Sequence, residues 1–237
     1  MGERNSAESQ SYPRLLSLAV HEFRTPASIV AGYLRMMQSG VGGTVSDAQR
    51  KMINEAEKGC GRLVELIAEL SDIGKLDAEL LPLAQERFDL FQLIGDVASD
   101  MHEAEDREVK LLLRGATQGA PVIGDRGRLN KAFSVLFRAV LREQPAAATV
   151  VADRRIEGNG DTARAVILIA RQECLQQIYD AQKSPLDELR GGLGLGLPLA
   201  RRVIERHRGQ VWSPAATDGG EGAAVRAGTI VSIPTQP

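Results

Sequence analysis

The sequence predicts an α+β chain: an antiparallel helical hairpin followed by a separate α/β sandwich. Three observations carry this. Two long stretches, 15–37 and 46–79, place apolar residues at three-to-four spacing, the period of an amphipathic helix. A short glycine-rich segment, Ser39-Gly40-Val41-Gly42-Gly43, joins them as a loop. After Pro82 the texture changes to short β-branched runs alternating with helical patterns.

Taken in order, residues 1–12 are polar and are expected to form a flexible leader. A first domain, 13–80, follows. Its first helix carries Leu15, Leu18, Ala19, Phe23, Ile29, Tyr33, Met36 and Met37. Pro26 interrupts that helix and predicts a kink near His21 and Glu22, because proline removes one donor and crowds the preceding turn. Ser46 or Asp47 caps the second helix. Its stripe is Met52, Ile53, Ala56, Cys60, Leu63, Ile67, Leu70 and Ile73. A lone hairpin buries only one stripe, so two copies are expected to pair as a four-helix bundle, a homodimer.

The second domain spans 83–237. It opens with an extended piece at residue 88 that leads into a helix reaching about Val109. Strands are expected at 110–113, 149–153, 165–169, 211–213 and 227–233, and helices at 128–142 and 196–208. The sheet is expected to be largely antiparallel.

Composition excludes several classes. Apolar residues make up 43% and charged residues 25%, as in ordinary globular domains. A net charge of -2 gives no case for nucleic acid held by bulk charge. Cys60 and Cys174 have no metal-ligand spacing and read as free thiols in a reducing compartment. No apolar run is long enough to cross a bilayer, and the start of the chain has no signal-peptide core. A cytoplasmic protein without direct membrane contact is the expectation, with no metal site of His and Cys.

His21-Glu22-Phe23-Arg24-Thr25-Pro26 carries the chemistry. A neutral imidazole is a nucleophile, and its reference pKa near ~6.5 makes that form available at neutral pH. Glu22 can hold the other ring nitrogen and accept its proton. Thr25 falls one helical turn after Glu22, where a hydroxyl can hold a water. A glycine run, Gly191-Gly192-Leu193-Gly194-Leu195-Gly196, precedes a helix. Such glycines let backbone amides approach phosphate oxygens. The spacing is neither GxGxxG nor Walker A.

These motifs resemble two-component sensor histidine kinases. The six residues from His21 match the H-box. Residues 70–77 are similar to the end of the second dimerisation helix, and Phe88-Asp89-Leu90 to the entry of the ATP-binding domain. Gly124-Asp125-Arg126-Gly127-Arg128-Leu129 resembles the opening of the N-box helix, and the glycine run resembles the G2 box. The resemblance covers about Leu15 to Ile233 and implies a GHKL-type ATPase domain. It implies catalytic roles for His21, Glu22 and Thr25, the last in dephosphorylation. A phosphate cradle would be built from Gly192, Leu193, Gly194, Leu195 and Gly196, with Arg138 as a phosphate-contacting cation. ATP and magnesium would be the cofactors, and a response regulator receiver domain the partner.

The sequence also departs from the family. Its N-box places asparagines for magnesium where this chain has Val135 and Ala139. After the strand at 165–170 the adenine-binding Asp-x-Gly-x-Gly is replaced by Arg171-Gln172-Glu173-Cys174, with Ile178-Tyr179 similar to the F-box and a short lid at 180–190. Three readings result. One is a kinase core moving phosphate from ATP to His21 and on to a regulator aspartate. The second is a pseudokinase or histidine phosphotransferase that keeps His21 without ATP catalysis, and the third is a scaffold. Elsewhere, His102 and His207 read as solvated surface residues. Trp212 reads as packing a strand edge. Arg201-Arg202 and Arg206-His207-Arg208 read as a small basic patch.

Overall fold

The computed structural model describes residues 3–41, 43–215 and 227–236. It divides into two compact units, Met1–Leu81 and Pro82–Pro237. The first is a helical hairpin of α1 (Glu3–Gln38) and α2 (Asp47–Asp77). The segment expected to be flexible is helical from Glu3 onward, while Met1 and Gly2 lie outside the described residues. No glycine or proline stands between Glu3 and Tyr12 to stop the helix from propagating toward the N-terminus. The helix continues through Pro26, which has no N–H to give the Glu22 carbonyl.

Gly40 takes a left-handed φ of 79° in the connecting loop; Gly42 is outside the described residues. Ser46, rather than Asp47, caps α2. Its hydroxyl accepts the Gln49 amide, and the Gln49 side chain accepts the Ser46 amide in return. The helices run antiparallel. Gln38, late in α1, donates to Asn54 at 3.0 Å and Glu57 at 2.6 Å, early in α2. The Cys60 thiol donates to the Ala27 carbonyl at 3.2 Å. Gly74, late in α2, lies under Leu16, early in α1. Val20, Ile53, Cys60, Ile73 and Leu76 are buried, while Leu18, Phe23, Ile29, Val30, Tyr33, Met52 and Leu63 stay exposed. A hairpin with this balance leaves more large apolar side chains outside than inside.

The second unit is a two-layer α/β sandwich. Its main sheet has six strands in the order β2-β4-β5-β8-β7-β6. These are β2 (Lys110–Gly115), β4 (Thr149–Glu157), β5 (Arg164–Arg171), β6 (Lys183–Pro185), β7 (Gln210–Pro214) and β8 (Thr229–Pro234). Among the described residues only β2 and β4 pair parallel; the other pairs are antiparallel. A separate ribbon pairs β1 (Glu86–Asp89) with β3 (Pro121–Gly124). The helices are α3 (Leu90–Ser99), α4 (Arg126–Arg142), α5 (Leu175–Asp180) and α6 (Gly196–Arg206).

Side-chain alternation assigns the two faces of the sheet. Arg154 in β4 donates to the Phe91 carbonyl of α3 at 3.0 Å, so its face is the one covered by α3, with α4 packed beside α3 and α6. The opposite face carries Val151, Val166, Leu168, Ala170, Trp212 and Ile230, and these cluster with Cys174, Leu175 and Ile178 around α5.

Three expectations need correction. The helix after Phe88 ends at Ser99 rather than near Val109, because the polar run behind it turns through left-handed positions at Ala104 and Glu108. β3, α5 and β6 were not foreseen; each is too short to show a period. Trp212 is not at the edge of the sheet. It sits in β7 between β6 and β8, buried, with the Lys183 ammonium 4.0 Å from its ring centroid.

Candidate functional site

His21, Glu22 and Thr25 all lie exposed on α1. The His21 Nδ1 stands 3.5 Å from Glu22 Oε1, at the outer limit of a hydrogen bond. That contact engages Nδ1 and leaves Nε2 turned away from the carboxylate. Thr25 follows His21 by one full turn, as the helical period requires. The two side chains are about three-quarters solvent-exposed, His21 at 76% and Glu22 at 70%. An imidazole so placed on its unit is open to solvent.

The glycine run lies in the second unit, between the end of β6 and α6. Gly191, Gly192 and Gly194 all take left-handed φ, at 67°, 61° and 61°. Glycine is needed at 191 for a second reason: a Cβ there would stand 2.9 Å from the Ala139 Cα of α4. At Gly196 a Cβ would meet the Val135 Cγ1 at 3.3 Å. The loop backbone therefore rests on Ala139 and Val135.

Arg190 ties this loop down. Its side chain is only 4% exposed, and Nε lies 3.3 Å from Glu143 Oε2 at the end of α4. Nη1 donates to the Gly228 carbonyl at 3.0 Å and to Ser213 Oγ at 3.4 Å, and Nη2 donates to the Ala227 carbonyl. Glu143 also accepts the Gly191 amide. Burial pushes the Glu143 carboxyl above its ordinary value, against the opposing pull of Arg190 and that amide. Burial likewise lowers the Arg190 guanidinium, with Glu143 and Asp187 pulling the other way. Arg142 adds a bond to the Gly191 carbonyl at 3.4 Å and an ion pair with Glu103 at 2.8 Å.

Arg138, expected to face phosphate, stands 4.0 Å from the same Glu103. At the start of α6, Gly196 N–H already donates to the Leu193 carbonyl at 3.2 Å, and Leu199 N–H to Leu195 at 3.0 Å. Pro198 has no N–H. Of the amides that would cradle a phosphate at this helix start, that of Gly196 is already engaged.

The residues present do not fit magnesium nucleotide. Magnesium takes oxygen ligands, and Val135 and Ala139 offer carbon. Glu143, the carboxylate beside the loop, is turned to Arg190 and Gly191. Among the described residues no group of three or more His, Cys, Asp or Glu side chains could hold a metal ion. The F-box-like pair is also displaced. Ile178 is buried on the sheet face away from α3. Tyr179 donates to Asp153 Oδ2 at 2.8 Å under the Arg155 guanidinium, and burial followed by that bond raises its hydroxyl pKa.

Two further expectations change. His207 is structural rather than solvated: its Nε2 accepts the Asp125 amide at 2.9 Å, and Nδ1 donates to the Val203 carbonyl at 2.7 Å. Burial lowers its pKa. The basic patch is neutralised at Arg201, which pairs with Glu188 and Glu205. His102 is exposed and paired with Glu105 at 2.8 Å. Sequence reasoning missed Arg190, Glu143 and Arg142; the one available signal was a charge set directly against the glycine run.

A helical hairpin followed by an α/β sandwich is a fold shared with solved histidine kinases. Residues 14–79 match the His Kinase A (phospho-acceptor) domain. Nearly the whole chain is similar to the swarming motility regulation sensor protein RssA of Serratia marcescens, with 26% identity over 98% of this chain and 48% of that protein. It is similar to the cell-division control histidine kinase PdhS of Brucella suis, with 25% identity over 99% of this chain and 24% of that one. The chain thus spans about half the length of the first relative and a quarter of the second. Among solved structures, full-length ShkA in complex with AMPPNP superposes with a TM-score of 0.68 at 18% identity, over 94% of this chain and 46% of that one. Acinetobacter baumannii histidine kinase AdeS superposes with a TM-score of 0.52 at 20% identity, over 92% of this chain and 98% of that one. The chain resembles the two-component sensor histidine kinases in sequence and fold alike. Among the described residues no helix is long and apolar enough to cross a membrane.

Proposed function

We propose that this chain is the core of a two-component sensor histidine kinase, with His21 as the residue that carries the phosphoryl group. The observation that carries the reading is the exposed His21–Glu22 pair, with Thr25 one turn on, inside the segment that matches the phospho-acceptor domain. In the forward step the His21 Nε2 lone pair attacks phosphorus and a P–N bond forms. The Nδ1 proton passes to Glu22 as the donor's oxygen leaves. The P–N bond then breaks toward an aspartate carboxylate of a response regulator. Thr25 holds the water for the reverse loss of phosphate.

The hairpin works as a homodimer in this reading. Pairing two copies covers Leu18, Phe23, Ile29, Val30 and Leu63, and each apolar side chain so buried contributes about 1.5–3 kcal/mol. We place the reaction in the cytoplasm, where the free thiols of Cys60 and Cys174 stay reduced. The family's donor is ATP, and ShkA was solved with an ATP analogue. Because α4 offers magnesium no oxygen ligand at Val135 or Ala139, the assay supplies two donors. One is labelled ATP with magnesium, and the other a receiver domain carrying labelled aspartyl phosphate. Acid-labile label on His21 from either donor, lost in His21→Gln, is expected. Label that survives that substitution, or no label from either donor, would sink the assignment.

A further inference from the structure

We infer that the glycine loop is a locked structural clasp rather than a magnesium–nucleotide cradle, and that His21 is loaded from the aspartyl phosphate of a receiver domain. This rests on the reading of His21 as phosphoacceptor and names the source of its phosphoryl group.

Four independent features point the same way. The first is the donor set: the positions of α4 nearest the loop are Val135 and Ala139, neither of which can ligate a cation. The second is space. Gly191 lies so close to the Ala139 backbone that one added carbon would overlap it, which leaves no layer for metal and water between loop and helix at that point. The third is the tether. Arg190 is buried with bonds to Gly228, Ala227 and Ser213 and an ion pair to Glu143, while Arg142 holds the Gly191 carbonyl. Lifting the loop would strand the buried Arg190 guanidinium and leave the Gly228 and Ala227 carbonyls without their donor, so the loop does not open at modest cost. The fourth is the far end of the site. The segment after β5 is committed to the opposite sheet face through Leu175 and Ile178, and the residues after it form β6, which pairs with β7.

All four features belong to the second unit, whereas His21 belongs to the first. The chemistry at His21 needs a donor but no nucleotide fold. In the proposed step a receiver's aspartyl phosphate supplies the phosphoryl group. The acyl O–P bond breaks, the carboxylate leaves as aspartate, and the new P–N bond forms at His21 Nε2. The Nδ1 proton goes to Glu22. No oxidant or nucleotide enters the balance, and the step runs backward to phosphorylate a second receiver.

The test uses the full chain. Calorimetry with ATP, with and without magnesium, is expected to show no binding tighter than about 1 mM. Labelled ATP is expected to leave His21 unlabelled, and a panel of labelled phospho-receiver domains is expected to label it within minutes, with the signal lost in His21→Gln. Magnesium-dependent binding below that limit, or label on His21 from ATP, overturns this inference and leaves the phosphoacceptor reading intact. Label from neither donor overturns both.

Discussion

Replacing Arg190 by methionine tests the clasp as a stability element. The guanidinium sits 4% exposed and serves Glu143 at 3.3 Å, Gly228 at 3.0 Å and Ser213 at 3.4 Å, with Ala227 as a fourth partner. Methionine keeps the apolar stem and deletes every donor. The Glu143 carboxyl, already pushed up by burial, loses the charge that held it back. The partly exposed Glu143 can turn to water, but the buried Gly228 and Ala227 carbonyls lose their donor, at about 1–3 kcal/mol for each group left unsatisfied. Urea unfolding followed by fluorescence reads this directly. Trp212 is the sole tryptophan and neighbours Ser213, an Arg190 partner, so its emission reports the second unit alone. Adding Glu143→Leu to Arg190→Met should recover only part of the loss, since the Gly228 and Ala227 carbonyls still lack their donor. A loss below about 1 kcal/mol in the single variant, or no recovery in the double, would refute the account of Arg190 as the tether.

Four further outcomes are expected. His207 holds its pKa below the ordinary histidine value, chiefly by burial, so the unfolded chain binds its proton first as pH falls. The stability it contributes is complete above about 6.5 and is lost as pH falls from there through the lower folded value; His207→Gln should flatten that part of the stability profile. Gly191→Ala combines a left-handed φ of 67° with a contact 2.9 Å from Ala139 and should cost about 2 kcal/mol or more in the same urea titration. Gly61→Ala, in an α2 position where a Cβ meets nothing within 4 Å, should stabilise the helix by about 0.5–1 kcal/mol and raise its thermal midpoint. Leu63→Glu puts a charge on an exposed apolar position of the hairpin and should shift the chain from dimer to monomer in light scattering.

Much of the first unit was legible because its signals are local. The helical period fixed α1 and α2, and the Ser46 and Gln49 pair that starts α2 is a four-residue pattern. The H-box is likewise six consecutive residues, and the helix that carries it needs only its own period to put Thr25 one turn beyond His21. The apolar strand at 165–169 and the amphipathic α4 were legible for the same reason. The chain beyond residue 170 was not, because α5 and β6 are stabilised by partners far away in sequence. Ile178 finds Leu168 and Trp212 across the sheet, and Lys183 pairs with Pro214.

The sequence by itself determined the His21, Glu22 and Thr25 set on one helix, the hairpin that carries it and the absence of side-chain oxygen at Val135 and Ala139, since each is a matter of residue identity at a fixed local spacing. Only the tertiary structure decided what replaced the missing ligands. Nothing in the order of residues says that Arg190 is buried against Glu143 from forty-seven positions earlier. Nor does it say that Gly191 rests on Ala139, or that His207 steadies the start of α4 through the Asp125 amide. Those contacts join elements distant in the chain, and their energies come from burial, which no local pattern encodes.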